Sequence, residues 1–289
     1  MEQIRRGFWA MVSVASIAAL LGAACHFKRS PDVQFQATPQ DVVEEMLEMA
    51  KVTKDDTVYD LGCGDGRFVI TAAKKYGARG VGIDIDPKRV QESQKKAIEA
   101  GVTDRTRFVE DDLFTAHIHE ATVTTLYLGL GLNLELRPKL LRELKPGSRV
   151  VSFAYDMGDW KPNAMRSFGN LTLATSYWYL WVIPADVAGV WRWSVSTQKG
   201  DRPYALQLKQ NFQEVSGHMT VQEGRRIRIG EAKLTGDRLN FAVKYDDENK
   251  QRVAMQFNGC VSGDTLHGDV EVTGGPLAGK YPWTARRNP

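Results

Sequence analysis

The 289-residue chain carries 38 basic and 35 acidic residues, a net charge of +3, so no charge excess calls for a nucleic-acid partner. Its length suits two globular domains of ordinary size, each with its own core. Its three cysteines, Cys25, Cys63 and Cys260, lie far apart with no CxxC or Cys/His cluster, which argues against a zinc centre or a disulfide framework; no metal is expected.

The first thirty residues differ in kind from the rest. Arg5 and Arg6 precede an uncharged, mostly apolar run from Gly7 to Ala24, and Lys28 and Arg29 follow it. The segment 1–30 reads as a targeting signal or a membrane anchor. Three forms stay open. Gly22, Ala23 and Ala24 before Cys25 resemble a lipoprotein signal lipidated at that cysteine; the same small residues suit ordinary signal cleavage, with "RRGF" faintly like a twin-arginine signal; and the run is just long enough for an uncleaved anchor. Basic residues at both ends leave the side of the membrane undecided.

Residues 30–40, "SPDVQFQATPQ", form a polar tether. Thr38, Pro39 and Asp41 then predict a helix start with a capping hydroxyl, followed by Val42, Val43, Met46, Leu47 and Ala50 at helical spacing. Next come β-branched runs, "TVYDLGC", "GVGIDI", "TRFVED", "TVTTLYL" and "RVVSFA", alternating with helical stretches after Gly66, after Pro87 (closed by Gly101) and after Asn133. That alternation predicts a parallel, doubly wound α/β sheet over 31–184, ending in an antiparallel hairpin of "NLTLATS" and "YWYLWVIP". From 185 to 289 the pattern is strands alone, about eight of them joined by tight turns, which predicts a small antiparallel all-β barrel or sandwich. Gly-Asp-x-Leu recurs at Gly236 and Gly263 as hairpin chemistry, and Trp191, Trp193 and Trp283 are expected to fill the core of this domain. His218 and His267 are isolated and read as surface or turn residues.

The stretch "VYDLGCGDGR" places Gly62, Gly64 and Gly66 between a strand and a helix, with Asp60 two residues ahead of the first glycine. A turn without β-carbons lets a ligand approach the backbone. Dinucleotide sites favour G-x-G-x-x-G; this G-x-G-x-G with an acid before it would face a pyrophosphate badly and suits a ligand carrying an ammonium and a sulfonium. Asp84, closing the next strand, stands where an acid accepts hydrogen bonds from ribose hydroxyls, whereas Asp86 before Pro87 reads as a helix cap. Asp111 and Asp112 close the third strand, with Asp112 a candidate acceptor for an adenine amino group and Leu113 a candidate to lie against the ring. Each acid alone is equally readable as a cap, a strand end or a solvated group. Three of them behind three successive strands point together to one ligand.

These motifs resemble class I, seven-β-strand S-adenosylmethionine-dependent methyltransferases over roughly residues 35–183. The resemblance implies a Rossmann-like seven-stranded sheet, S-adenosylmethionine as cofactor, Asp60, Gly62, Gly64 and Gly66 around its methionine end, Asp84 on ribose and Asp112 at adenine. More narrowly, "FQATPQDVVEEML" and "TTLYLGLGLNLELRPKLLRELKPGSRVVS" are similar to membrane-anchored protein lysine N-methyltransferases, which implies a protein lysine acceptor and Phe35 and Thr38 closing over the cofactor. The segment "LYLGLGLN" lacks the Asn/Asp-Pro-Pro-Tyr signature of many amino-group methyltransferases, so nucleic-acid bases are disfavoured as acceptors.

A lysine acceptor must be neutral when it attacks, which favours an apolar or aromatic channel. Tyr127 and Asn133 are the catalytic candidates at its wall, although core packing on a buried strand is the more ordinary role for Tyr127 and Asn133 is equally readable as a helix cap. Tyr155, Asp156 and Trp160 are candidates for the substrate side. Two other functions stay open: a small-molecule or lipid methyltransferase, and an exported binding protein with an inactive methyltransferase-like domain. Because the cofactor is cytosolic, an active enzyme is expected to face the cytoplasm.

Overall fold

In the computed structural model, the described residues are 30–168, 176–197, 200–221, 224–275 and 277–288. The expected signal or anchor over 1–30 therefore lies outside them except for Ser30, as does the strand expected at "NLTLATS" except for Ser176. No helix among the described residues is long and apolar enough to cross a membrane.

Two sheets organise the chain. The first contains β1 (Thr57–Leu61), β2 (Arg79–Asp84), β3 (Thr106–Glu110), β4 (Val123–Leu126), β5 (Arg149–Phe153), β6 (Ala164–Phe168) and β7 (Ser176–Val182), in the spatial order 3-2-1-4-5-7-6. The first five strands run parallel, and β7 pairs antiparallel with both β5 and β6. Residues of β1 and β4 are buried at every position, as required of parallel strands covered on both faces. Helices α1 (Gln40–Met49), α2 (Arg67–Thr71), α3 (Pro87–Ala100) and α4 (Leu130–Glu143) supply the cover.

The helix boundaries correct the sequence in two places and agree with it in a third. Pro39, not Thr38, is the N-cap of α1, and no side chain caps that end. Helix α4 begins at Leu130, after Gly129 with φ 117°, so Asn133 lies inside the first turn instead of ahead of it. Helix α3 follows expectation: the Asp86 carboxylate accepts from the Lys88 N–H at 2.9 Å, Pro87 opens the helix and Gly101 closes it at φ 69°. Helix α2 passes into a π-helical turn, Ala72–Tyr76, that nothing in the sequence announced.

The second sheet has nine strands, β8 (Gly189–Thr197), β9 (Gly200–Asn211), β10 (Glu214–Thr220), β11 (Arg226–Arg228), β12 (Gly230–Thr235), β13 (Arg238–Asp246), β14 (Arg252–Ser262), β15 (Thr265–Thr273) and β16 (Gly279–Arg287). All its pairings are antiparallel, in the order 11-10-9-8-16-15-14-13-12, so the sheet curls into a nearly closed barrel. Trp191, Trp193, Trp283, Phe241 and Phe257 fill it, with Phe241 and Phe257 stacked at 4.5 Å. The expected run "RIRIGEAKL" divides at Ile229 into β11 and β12. Gly236 and Gly263, both at positive φ, turn the β12–β13 and β14–β15 hairpins.

The two sheets meet along a packed junction. Trp160 is fully buried there, stacked on Phe212 at 5.6 Å, and its indole N–H donates to Gln213 Oε1 at 2.8 Å. Its backbone carbonyl accepts from the Trp181 indole at 2.7 Å. Trp160 is thus a junction residue and not a substrate-side wall, a correction whose reason is that its partners come from both sheets.

Candidate functional site

The three glycines behind β1 all have positive φ, at 82°, 54° and 78°, but each meets a different neighbour. A β-carbon on Gly62 would lie 2.6 Å from Leu128, one on Gly64 2.1 Å from the Phe35 ring, and one on Gly66 2.8 Å from Phe108. Gly62 borders the cavity described below. Gly64 lies beneath Phe35 of the tether. Gly66 is away from the cavity wall and makes room for Phe108 and Ser93, so its expected contact with a ligand is replaced by a packing contact.

The loop is fixed from several sides. The Gly62 and Cys63 N–H groups both donate to Ile83 O, at 2.8 and 3.0 Å, tying the turn to β2. The Asp84 carboxylate accepts from Gly64 N–H at 2.8 Å through one oxygen and from Asp86 N–H at 2.9 Å through the other. Ser93 donates to Gly64 O at 2.9 Å. Arg67 makes a two-pronged contact with Asp65, at 2.9 and 2.6 Å, and also donates to the Thr38 carbonyl, clamping the tether to the glycine turn.

The acids of this loop sit in opposite electrostatic states. Asp60 is buried at the end of β1 and accepts from Thr125 Oγ1 at 2.7 Å. Burial pushes its carboxyl up to about 8, the negative fields of Asp84 and Asp65 add to that, and the Thr125 hydrogen bond opposes it. Burial also raises Asp84, against the two backbone N–H groups that favour its anion. Burial opposes ionisation of Asp65 too, but Arg67 and Lys96 outweigh it and hold that carboxyl down at about 2.

A cavity of about 550 Å³ opens at the carboxyl ends of β1, β2 and β4. Asp60, Gly62, Asp84, Asp112, Leu113 and Tyr127 line it, and residues 31–36 with Thr38 run along one side as a strap. Arg89, which also borders the cavity, lies over the Phe35 ring at 4.1 Å. Asp112 caps its own turn, accepting from Phe114 N–H at 2.9 Å, and still borders the cavity beside Leu113.

On the far wall, Tyr127 meets Phe153 edge-on at 4.8 Å, stacks with Tyr155 at 6.2 Å, and donates its hydroxyl to Gln36 Oε1 at 3.0 Å. Asn133 is fully buried and does not border the cavity, so its expected place on the channel wall is corrected. Its amide nitrogen reaches Ser152 Oγ at 3.0 Å, Tyr155 O at 3.1 Å and Asp156 O at 3.2 Å. Those contacts hold a tight turn in which Ala154 has φ 65° and Tyr155 N–H donates back to Phe153 O at 2.8 Å. Tyr155 projects from this turn half-exposed, while Asp156 accepts from Gly158 N–H at 3.0 Å as a local cap. Sequence reasoning missed Gln36, Arg67, Arg89 and Ser93. Each acts on a residue far away in the chain, and no spacing rule could have found it.

A mixed sheet in the order 3-2-1-4-5-7-6 with only β7 antiparallel, a glycine turn after β1 and an acid closing β2 over one cavity, defines a class I methyltransferase. The family described as the ANTKMT methyltransferase domain matches residues 60–164. A protein-lysine N-methyltransferase of Saccharolobus islandicus is 44% identical over 156 residues, covering 53% of this chain and 95% of that protein. The chain belongs to this family of protein-lysine N-methyltransferases. The adenine nucleotide translocase lysine N-methyltransferase of Mus musculus is 29% identical over 148 residues, covering 50% of this chain and 64% of that protein, so the match leaves more than a third of the mouse relative unspanned. A solved RNA methyltransferase from Salinibacter ruber in complex with S-adenosyl-L-homocysteine is 49% identical, covering 53% of this chain and 96% of that one, with a TM-score of 0.49.

Proposed function

We propose that the chain transfers a methyl group from S-adenosylmethionine to a lysine side chain of a protein. The observation that carries this reading is the Asp84 carboxylate, oriented by two backbone N–H groups at the mouth of a cavity large enough for a nucleoside cofactor. In this reading Asp84 accepts from the ribose hydroxyls, Asp112 and Leu113 hold the adenine, and Asp60 and Gly62 face the methionine end. The fit is electrostatic as well as steric: a buried acid whose ionisation is suppressed gains its anionic form when a cation arrives.

When bound, S-adenosylmethionine supplies an electrophilic methyl carbon, so the transfer depends chiefly on alignment. The chain's own residues provide that alignment and a dry site. Phe35 and the strap exclude water from one side. Tyr127, on the cavity wall and stacked with Tyr155, desolvates an incoming amine and favours its neutral, nucleophilic form. Burial raises the Tyr127 phenol above its ordinary range, so it stays neutral and keeps its hydrogen bond to Gln36.

The apolar segment ahead of the strap supports attachment to a membrane with this site on the cytosolic side, where the cofactor is made. A fusion reporter active only outside the cell would overturn that orientation. For the activity itself, full-length protein is offered tritiated S-adenosylmethionine with a protein extract and, separately, total RNA. Label recovered as methyl-lysine is the expected result, and label in RNA alone would refute the lysine reading. Asp84→Ala is expected to weaken cofactor binding about 30-fold, as for loss of charge-assisted hydrogen bonds worth about 2 kcal/mol.

A further inference from the structure

The barrel carries a charged feature that the methyl-transfer reading does not use. A groove of about 450 Å³ opens on the outer face of β9, β10 and β11. Gln207, Lys209, Ser216, His218, Arg226 and Arg228 line it, all exposed, while the alternating residues Leu206, Leu208 and Met219 point into the barrel core. Strand register brings the groove residues together. Gln207 faces His218 across β9 and β10, His218 faces Arg228 across β10 and β11, and Arg226 reaches diagonally to donate to Gln207 Oε1 at 3.0 Å. Gly217, where any β-carbon would lie 2.1 Å from the Gln207 carbonyl, lets β10 approach β9.

Two properties set this face apart from an ordinary solvated one. Its lining contains no carboxylate, and among the described residues none of Lys209, His218, Arg226 and Arg228 forms an ion pair. Several bases elsewhere on the barrel are paired, Lys244 with Glu231, Arg252 with Asp246, Lys280 with Asp269, and Arg287 with Asp186 and Asp264, whereas here four basic groups share one groove. Two basic groups directly opposite each other on neighbouring strands, as His218 and Arg228 are, cost stability when both are charged unless an anion lies between them. Arginine forks, an imidazole and a serine hydroxyl together match the oxygens of a phosphate better than they match a single carboxylate.

We propose that this groove binds a phosphate group, carried by either a soluble phosphoester or a phospholipid headgroup. The ligand bridges Arg226, Arg228 and Lys209, with His218 and Ser216 as donors. The site is remote in sequence from the methyl-transfer residues, and its occupancy does not require that activity.

The test uses the full-length chain. Inorganic phosphate is titrated calorimetrically, and in parallel the protein is sedimented with phosphatidylcholine vesicles with or without phosphatidic acid. Binding of free phosphate assigns a soluble phosphoester. Sedimentation that needs phosphatidic acid and is lost when Arg226 and Arg228 are both replaced by glutamine, with no binding of free phosphate, assigns a lipid headgroup; both support the site. The double variant Arg226→Gln/Arg228→Gln is expected to weaken either signal at least tenfold, while Lys244→Gln on another part of the barrel leaves it unchanged, with thermal unfolding confirming that both fold. Three results would overturn the proposal: no binding in either arm, equal loss with Lys244→Gln, or sedimentation that survives the double variant, which would trace to the N-terminal segment. Preference for RNA over both phosphate probes would replace it with a nucleic-acid surface.

Discussion

At the scale of single residues, Asp60 carries the sharpest consequence. Its folded carboxyl sits at about 8 against an ordinary value near 3.8, so folding takes up a proton. The associated stability is fully present below about pH 4 and is lost as pH rises through about 8. Asp60→Asn is therefore expected to flatten the pH dependence of thermal unfolding of the ligand-free protein over that window. Cofactor binding has the opposite sign: a cation favours ionised Asp60, so binding releases a proton and tightens as pH climbs toward about 8. Calorimetry in buffers of different ionisation enthalpy should detect that proton with the native chain and lose it with Asp60→Asn. Asp60, Asp84 and Asp112 were legible as a set because each closes a strand. The opposite protonation tendencies of Asp60 and Asp65 were not, because they depend on the depth at which the fold buries Asp60 and on Arg67 and Lys96 reaching Asp65.

At the scale of elements, the strap and the turn after β5 do most to shape the cavity. Gly64 must be bare because Phe35 lies against it, so Gly64→Ala should expel the ring and weaken cofactor binding. Phe35→Ala should remove most of the further damage done by Gly64→Ala. A double-mutant cycle on cofactor affinity measures that coupling, and additive losses would mean that the ring and the glycine act separately. The turn after β5 depends on Asn133, whose three contacts fix Tyr155 against Tyr127. Asn133→Ala should raise KM for the protein substrate about tenfold while cofactor affinity holds, and Asn133→Asp, which cannot donate, should behave alike.

The elements also divide cleanly by what local sequence can say. β1 to β5 announce themselves through β-branched runs, and α3 through Asp86, Pro87 and Gly101. β6 does not: "AMRSF" contains no β-branched residue and becomes a strand because β7 offers it an edge. Asn133 was readable as a helix cap by residue type, yet Gly129 is the residue at which the chain turns into α4.

For the whole molecule, the junction decides whether the two sheets behave as one body. Trp160, Phe212 and Gln213, with the Lys161–Glu214 pair at 2.7 Å, join segments about fifty residues apart, which no periodicity could foretell. Trp160→Ala should cost about 3–5 kcal/mol as a large core truncation. Scanning calorimetry is expected to show a single transition for the native chain and two for the variant. A variant that lowers one combined transition without splitting it would mean that other contacts suffice to couple the sheets.

Closure of the barrel has a consequence for how the chain is made. β8 lies between β9 and β16, and its seam with β16 is short: Arg192 pairs with Arg286, Trp191 with Arg287, and Asn288 N–H donates to Val190 O at 2.7 Å. The sheet that carries the glycine turn is complete at Val182, so it can fold while the ribosome is still translating the barrel. The first barrel strand must wait for the last, roughly ninety residues later in synthesis, with one edge open to strangers in the meantime. Slow translation over this interval would prolong that exposure, making the half-made barrel the stage at which a nascent chain most needs a chaperone.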